Sequence, residues 1–86
     1  MAYRIVLSED AVLELEGLDK ISRNRIIKKL KLIAENPIQA FKHLSGRKEY
    51  KLIVGNHRLI AMILHNEKTV FIIAIGHRKD IYKNLI

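Results

Sequence analysis

The chain reads as an α+β domain: an N-terminal strand, a two-helix hairpin, then an antiparallel three-strand meander. Three observations predict it. Apolar residues recur at helical spacing between Ser8 and Ala34. Asn36-Pro37 closes that half, because proline removes a donor and restricts the residue before it. From Glu49 to Tyr82 the sequence EYKLIVGNHRLIAMILHNEKTVFIIAIGHRKDIY joins three runs of strand-forming residues by two short turns. The strands are grouped rather than interleaved with crossover helices, which separates α+β from α/β.

Tyr3–Leu7 (YRIVL) supplies the first strand. Ser8 caps the first helix, with Glu9 and Asp10 favouring its positive N-terminus. Val12, Leu15 and Leu18 form its apolar stripe, and Gly17 and Asp19 mark its end. Ser22 is expected to cap a second, longer helix whose inner stripe is Ile26, Ile27, Leu30, Ile33 and Ala34. Its wet side carries Arg23, Lys28, Lys29 and Lys31, an ordinary solvated face. Residues 38–48 show no sustained periodicity and contain Ser45-Gly46, so they read as a connector anchored by Phe41 and Leu44. Strands follow at Tyr50–Val54, His57–Leu64 and Thr69–Ile75, the first two joined by a Gly55-Asn56 hairpin turn. The last is almost continuously apolar, as a central strand covered on both faces should be. Gly76 is expected to break it, and residues 78–84 allow at most one or two helical turns.

Eighty-six residues form a single domain, 1–86, with no room for a second core of comparable size. The chain contains no cysteine, which excludes disulfides and thiolate chemistry and fits a reducing cytoplasm. The start lacks a signal peptide's apolar core, and the longest later apolar run, Val70–Ile75, falls far short of the roughly 20 residues that span a bilayer. A soluble protein with no membrane partner is expected. Net charge is +7, unevenly placed: residues 1–41 carry seven Lys/Arg against six Asp/Glu, and residues 42–86 nine against three. All four histidines also lie in the second half. That asymmetry points to an anionic partner, nucleic acid or an acidic protein surface.

Several chemistries are absent. There is no glycine-rich phosphate loop, no close trio of acids to hold magnesium, and no histidine pair at zinc-ligand spacing. Ser8, Ser22 and Ser45 sit in cap or turn contexts, not in a Ser-His-Asp arrangement. No metal or cofactor is expected. What remains is Lys51, Arg58, His77, Arg78 and Tyr82, which antiparallel pairing could gather at one end or face of a sheet. Such a group suits RNA cleavage by attack of the ribose 2′-OH on its own phosphate. Arginines stabilise the phosphate, a lysine crowded by arginines or a histidine near neutrality moves protons, and tyrosine stacks on a base. Each residue also has an ordinary reading as a solvated strand end, or for Tyr82 a core aromatic with a wet hydroxyl. On residues alone the group supports an anion-binding sheet and nothing sharper.

The same residues carry a resemblance. Leu44-Ser45-Gly46, Tyr50-Lys51-Leu52, His57-Arg58-Leu59-Ile60 and Ile75-Gly76-His77-Arg78 with Tyr82 follow one another as in the RelE/ParE toxin superfamily. The opening MAYRIVLSEDA also fits the first strand and helix start of that superfamily. The resemblance covers nearly the whole chain. It implies the compact RelE-like microbial RNase fold and the toxin of a type II toxin–antitoxin pair. The expected partners are a RelB-like antitoxin and the ribosome with mRNA in its A site. RelE-type members cleave that mRNA without metal, leaving a 2′,3′-cyclic phosphate, whereas ParE-type members inhibit DNA gyrase on the same fold.

Carried over by position, the resemblance implies that Lys51 is the general base and that Arg58 stabilises the transition state. It implies that Arg78 acts on the phosphate or leaving group and that Tyr82 stacks on the mRNA base. Arg47, Lys48 and Lys79 are expected to contact RNA. Two features depart from the pattern: Ile53 stands where a second basic residue is common, and the Arg78–Tyr82 interval is short. His77 is a candidate to share the proton transfer. An antitoxin helix is expected to cover the sheet or the basic surface and to displace Arg78–Ile86.

Overall fold

A computed structural model describes residues 3–85. Met1 and Ala2 of the opening motif, and Ile86 at the end of the segment expected to yield to an antitoxin, lie outside the described residues. The elements run β1 (Arg4–Leu7), α1 (Glu9–Glu16), α2 (Lys20–Ile33), α3 (Pro37–Ala40), β2 (Lys42–His43), β3 (Tyr50–Val54), β4 (His57–Leu64) and β5 (Thr69–His77). A terminal 3-10 turn spans Ile81–Leu85. The expected α+β order holds, with two additions and one extension. The connector contains the short α3 and a two-residue strand, and Gly76 continues β5 instead of breaking it. Backbone pairing across to Arg58 carries Gly76 as part of the ladder.

One five-stranded sheet has the order β1-β5-β4-β3-β2. The meander β3-β4-β5 is antiparallel throughout, whereas β1 joins β5 in parallel, from Arg4↔Thr69 to Leu7↔Ile72. The apolar β5 therefore lies between two strands, as its composition requires. Its phase changes once. Ala61 pairs with Ile72 and Ile60 with Ala74, so Ile73 is an extra residue, a β-bulge. The bulge lets Ile72 and Ile75, three apart, both face the helices.

Ser8 ties this irregularity to α1. Its hydroxyl accepts from the Ala11 amide at 3.1 Å and donates to the Ile73 carbonyl at 3.3 Å. Beyond Leu7, β5 has no strand on that side, and α1 takes over: Glu14 Oε1 accepts the Ile75 N–H at 2.8 Å. A Glu14→Ala change strips a buried amide of its partner and is expected to cost about 1–2 kcal/mol in urea unfolding, with Glu14→Gln recovering most of it.

Helix α2 starts one turn earlier than the Ser22 cap would set it. Asp19 is the cap, accepting from the Ser22 N–H at 3.0 Å, and that bond holds its carboxyl below the usual range. An aspartate outcompetes a serine three residues inside because its ionised oxygen is the stronger acceptor.

The main core lies between helices and sheet. Ala11 of α1 and Ile26 of α2 meet Leu52, Val54, Leu59, Val70, Ile72 and Ile75, with Phe41 closing one end. Val12 is 39% exposed, so the α1 stripe runs Ala11, Leu15, Leu18 rather than through Val12. Docking of Ser8 on β5 sets that rotation. On α2, Ala34 is exposed and only Ile26 is fully buried. A second, smaller apolar contact lies on the opposite sheet face, where Ile60 and Ile81 are buried outside the main cluster. Among the described residues no helix is long and apolar enough to cross a membrane.

Candidate anion-binding face

Strand alternation assigns each candidate to a side of the sheet. Leu52, Leu59 and Ile75 point to the helices, so their neighbours Lys51, Ile53, Arg58 and Gly76 lie on the other face. Lys51 pairs with Ile60, and Arg58 pairs with both Ile53 and Gly76. Lys51 and Arg58 are thus diagonal neighbours on one face, a separation of roughly 7–8 Å at the backbone. Arg58 does not reach toward Lys51. Its Nη1 donates to the carbonyls of Gly55 and His57 at 3.1 and 3.0 Å, folding the guanidinium onto the hairpin turn. Arg78 arrives at the same turn, since its N–H donates to the Asn56 carbonyl at 2.8 Å. The turn, with Gly55 at φ 60°, is therefore the joint that brings the Arg58 and Arg78 backbones together.

The remaining candidates divide. Tyr82 is 37% exposed and sits in the terminal turn, while its neighbour Ile81 is the buried residue that seats the turn. Gly76 leaves room for that contact: a Cβ there would lie 3.1 Å from Ile81 Cδ1, tighter than ordinary van der Waals contact. Gly76→Val is expected to lift the turn carrying Tyr82 while leaving the main core's unfolding transition near wild type. Near-ultraviolet tyrosine signals and urea melts read these separately.

His77 is not brought together with Lys51 and Arg58. It pairs with His57 on the helix side, the two rings edge-to-face at 5.8 Å, and its Nδ1 accepts the Lys79 N–H at 3.1 Å. Lys79 is exposed, as is Lys48. Arg47 is engaged by Glu49 through two contacts, at 3.1 and 3.4 Å. That guanidinium holds the Glu49 carboxyl below its usual range, so the pair persists above the ordinary carboxylate range and is lost as pH falls through the lowered value.

The structure also places two lysines that the sequence left outside the group: Lys29, read as part of the solvated helix face, and Lys42, read as part of the connector. Lys42 of β2 stands directly across from Lys51, and Lys29 of α2 lines a cavity with both. A two-residue strand has no periodicity to reveal it; the alternation of buried Phe41 with exposed Lys42 was the available signal. Among the described residues no group of three His, Cys, Asp or Glu is placed to hold a metal ion. The open face is thus a row of cations with an apolar floor, able to bind and neutralise a phosphate and to place an amine or an aromatic ring beside it.

Known proteins resemble this chain in sequence and fold. A family model described as the ParE toxin of the type II toxin–antitoxin system parDE matches residues 5–82. A protein of Escherichia coli, named for its likeness to RelE toxins, is 31% identical over 87 residues, covering 95% of this chain and 92% of its own. A chain of the intact E. coli RelBE toxin–antitoxin complex superposes with a TM-score of 0.74 at 30% identity, over 88% of this chain and 96% of that one. A mutant of E. coli toxin RelE in the free state gives 0.76 at 28% identity, over 96% and 93%. A chain of the RelBE2 complex of Mycobacterium tuberculosis gives 0.80 over 93% and 95%, at 20% identity, and so speaks to the fold alone.

Proposed function

The chain belongs to the RelE/ParE family of type II toxins, and on that premise we propose that it is a ribosome-dependent mRNA interferase restrained by a RelB-like antitoxin. The observation that carries the reading is the shared face: Lys51 and Arg58 are diagonal neighbours on it, and Arg78 is pinned to the hairpin turn beside Arg58. The antitoxin follows from a relative that is a chain of the intact E. coli RelBE toxin–antitoxin complex. A cytoplasmic location is part of the same proposal, since ribosomes and mRNA are found there.

In the proposed reaction Lys51, an ammonium in the resting protein, first gives its proton to water, and the free amine then accepts the proton of the ribose 2′-OH as that oxygen bonds to the adjacent phosphorus. Arg58, released from its turn carbonyls, meets the charge gathering on the pentacovalent phosphate. The bond from phosphorus to the 5′ oxygen breaks, leaving a 2′,3′-cyclic phosphate. Arg78 offsets the charge on the departing oxygen, which water protonates. Tyr82, half free of the protein, stacks on the base. His77 acts indirectly: by holding the Lys79 amide it shapes the turn that presents Arg78.

Programmed ribosomes carrying a short mRNA in the A site test the reading. Cuts within the A-site codon by the wild type are expected, and intact mRNA from a folded protein on susceptible ribosomes would overturn it. The position of Ile53 allows a second check. It stands directly opposite Arg58 and is 47% exposed, so Ile53→Lys adds a cation beside the phosphate at little folding cost. Cleavage at subsaturating toxin should rise, by up to about 10-fold if the new charge contributes about 1.4 kcal/mol.

The ParE family match supports a second reading, a non-enzymatic inhibitor of DNA gyrase on the same fold. A supercoiling assay separates the two: inhibition with no mRNA cleavage would favour it.

A further inference from the structure

We propose that Lys29 and Lys42 join Lys51 in a second anion site, which holds the RNA phosphodiester next to the one that reacts. The site lies where the sheet edge is open. Strand β2 pairs with β3 only at Lys42↔Lys51 and His43↔Tyr50, so β3 runs three residues further without a neighbour on that side. There a cavity of about 220 Å³ opens, lined by Lys29, Ala40, Lys42, Lys51, Leu52 and Ile53. Three of its six residues are cations and none is an acid.

Among the described residues none of the three lysines meets a carboxylate within 4.0 Å. Lys42 and Lys51 face one another across the ladder, a like-charge pair that destabilises a sheet. Lys29 and Lys51 are half-buried and so partly shielded from bulk water. A trio of compact ammonium groups around a pocket, retained against this repulsion, suits an anion approached from several sides.

A phosphodiester fits better than a carboxylate because Lys51 belongs to both sites. This step rests on the proposed cleavage reading: a ligand that touches Lys51 there must be continuous with the reacting phosphate. A single RNA strand supplies a second phosphate within reach as it rounds the sheet edge. The exposed Ile53 side chain between the two sites offers an apolar surface for the intervening sugar.

The test uses the full chain, a 2′-O-methyl oligoribonucleotide that cannot be cut, and a salt titration of its affinity. Each lost phosphate contact reduces the slope of log affinity against log salt by about 0.7 for a single strand. The K29Q/K42Q double variant should bind about 10-fold more weakly at low salt, with the slope reduced by about 0.7, the loss of one phosphate contact. The charge-matched K20Q/K28Q variant, on exposed α2 positions outside the cavity, should keep both values. Because Lys42→Gln relieves a repulsive pair, K29Q/K42Q should unfold no earlier than wild type, which separates lost contact from lost fold.

Equal affinity and slope in K29Q/K42Q and wild type, or no salt-dependent binding by wild type, would overturn the site while leaving ribosomal cleavage to stand on its own assay. Loss of affinity for the antitoxin with RNA binding intact would also overturn it, in favour of an acidic peptide. Conversely, the expected slope change in a protein that cuts no mRNA on ribosomes would uphold the anion site and sink the interferase reading.

Discussion

Arg58→Ala is expected to slow single-turnover cleavage of A-site mRNA by about 10²–10³-fold, the usual consequence of removing one preorganised charge from an anionic transition state. The structure makes this a clean experiment. The Arg58 guanidinium bonds only to carbonyls of its own turn and its neighbour among the bonds observed, at Gly55 and His57. The bond to the Gly55 carbonyl is exposed and that to the His57 carbonyl part-buried, so truncation strands no fully buried group. The urea midpoint should stay close to wild type while the rate collapses. A rate within a few-fold of wild type would remove Arg58 from the reaction, and a large loss of stability would make the rate uninterpretable as chemistry. Arg58→Lys adds a useful contrast, because a single ammonium cannot reproduce two-point contact with a phosphate.

Leu59→Ala should produce the largest loss of stability, about 3–5 kcal/mol by urea unfolding. Leu59 is 0% exposed and lies between Leu52 and Ile75 across the two neighbouring strands. A chain of this length has roughly 4–13 kcal/mol in total, so the variant is expected to be partly unfolded at growth temperature. Arg58 and Leu59 are adjacent in sequence and point to opposite faces. The pair of variants therefore separates chemistry from folding with two changes one residue apart. A Leu59→Ala protein as stable as wild type would mean that the helices do not pack on this face as described.

Much of this architecture was legible in the sequence because the strong signals are local. The runs Tyr50–Val54 and His57–Leu64 and the Gly55-Asn56 turn declare a hairpin, and Ser8 with Glu9 and Asp10 declares a helix start. What stayed hidden depends on partners far along the chain. Strand β2 exists only because Lys42 and His43 lie beside Lys51 and Tyr50. The bulge at Ile73 is fixed by Ser8, 65 residues away. Gly76 reads as a breaker until the terminal turn is seen to pack closely over it, with Ile81 Cδ1 3.1 Å from where a Cβ would stand. In the candidate site, Lys51, Arg58 and Arg78 were legible as a group through the ordered motifs. The separation of His77 was not, since it follows from the phase that the bulge imposes on β5.

The seat of Ile81 over Gly76 has a consequence for motion. Among the described side chains of the terminal turn, lifting it off the sheet exposes the buried Ile81, a cost of about 2 kcal/mol. At equilibrium that leaves an opened form at on the order of a few per cent. The folded toxin thus spends a small, steady share of its time with Ile81 unseated and Tyr82 swung away, while the main core behind the sheet stays shut. A binding partner that captures this form sacrifices only about 30-fold in affinity to the rarity of its target. Relaxation dispersion on the Ile81 methyl groups, with none at Leu59, is the signature such breathing would leave.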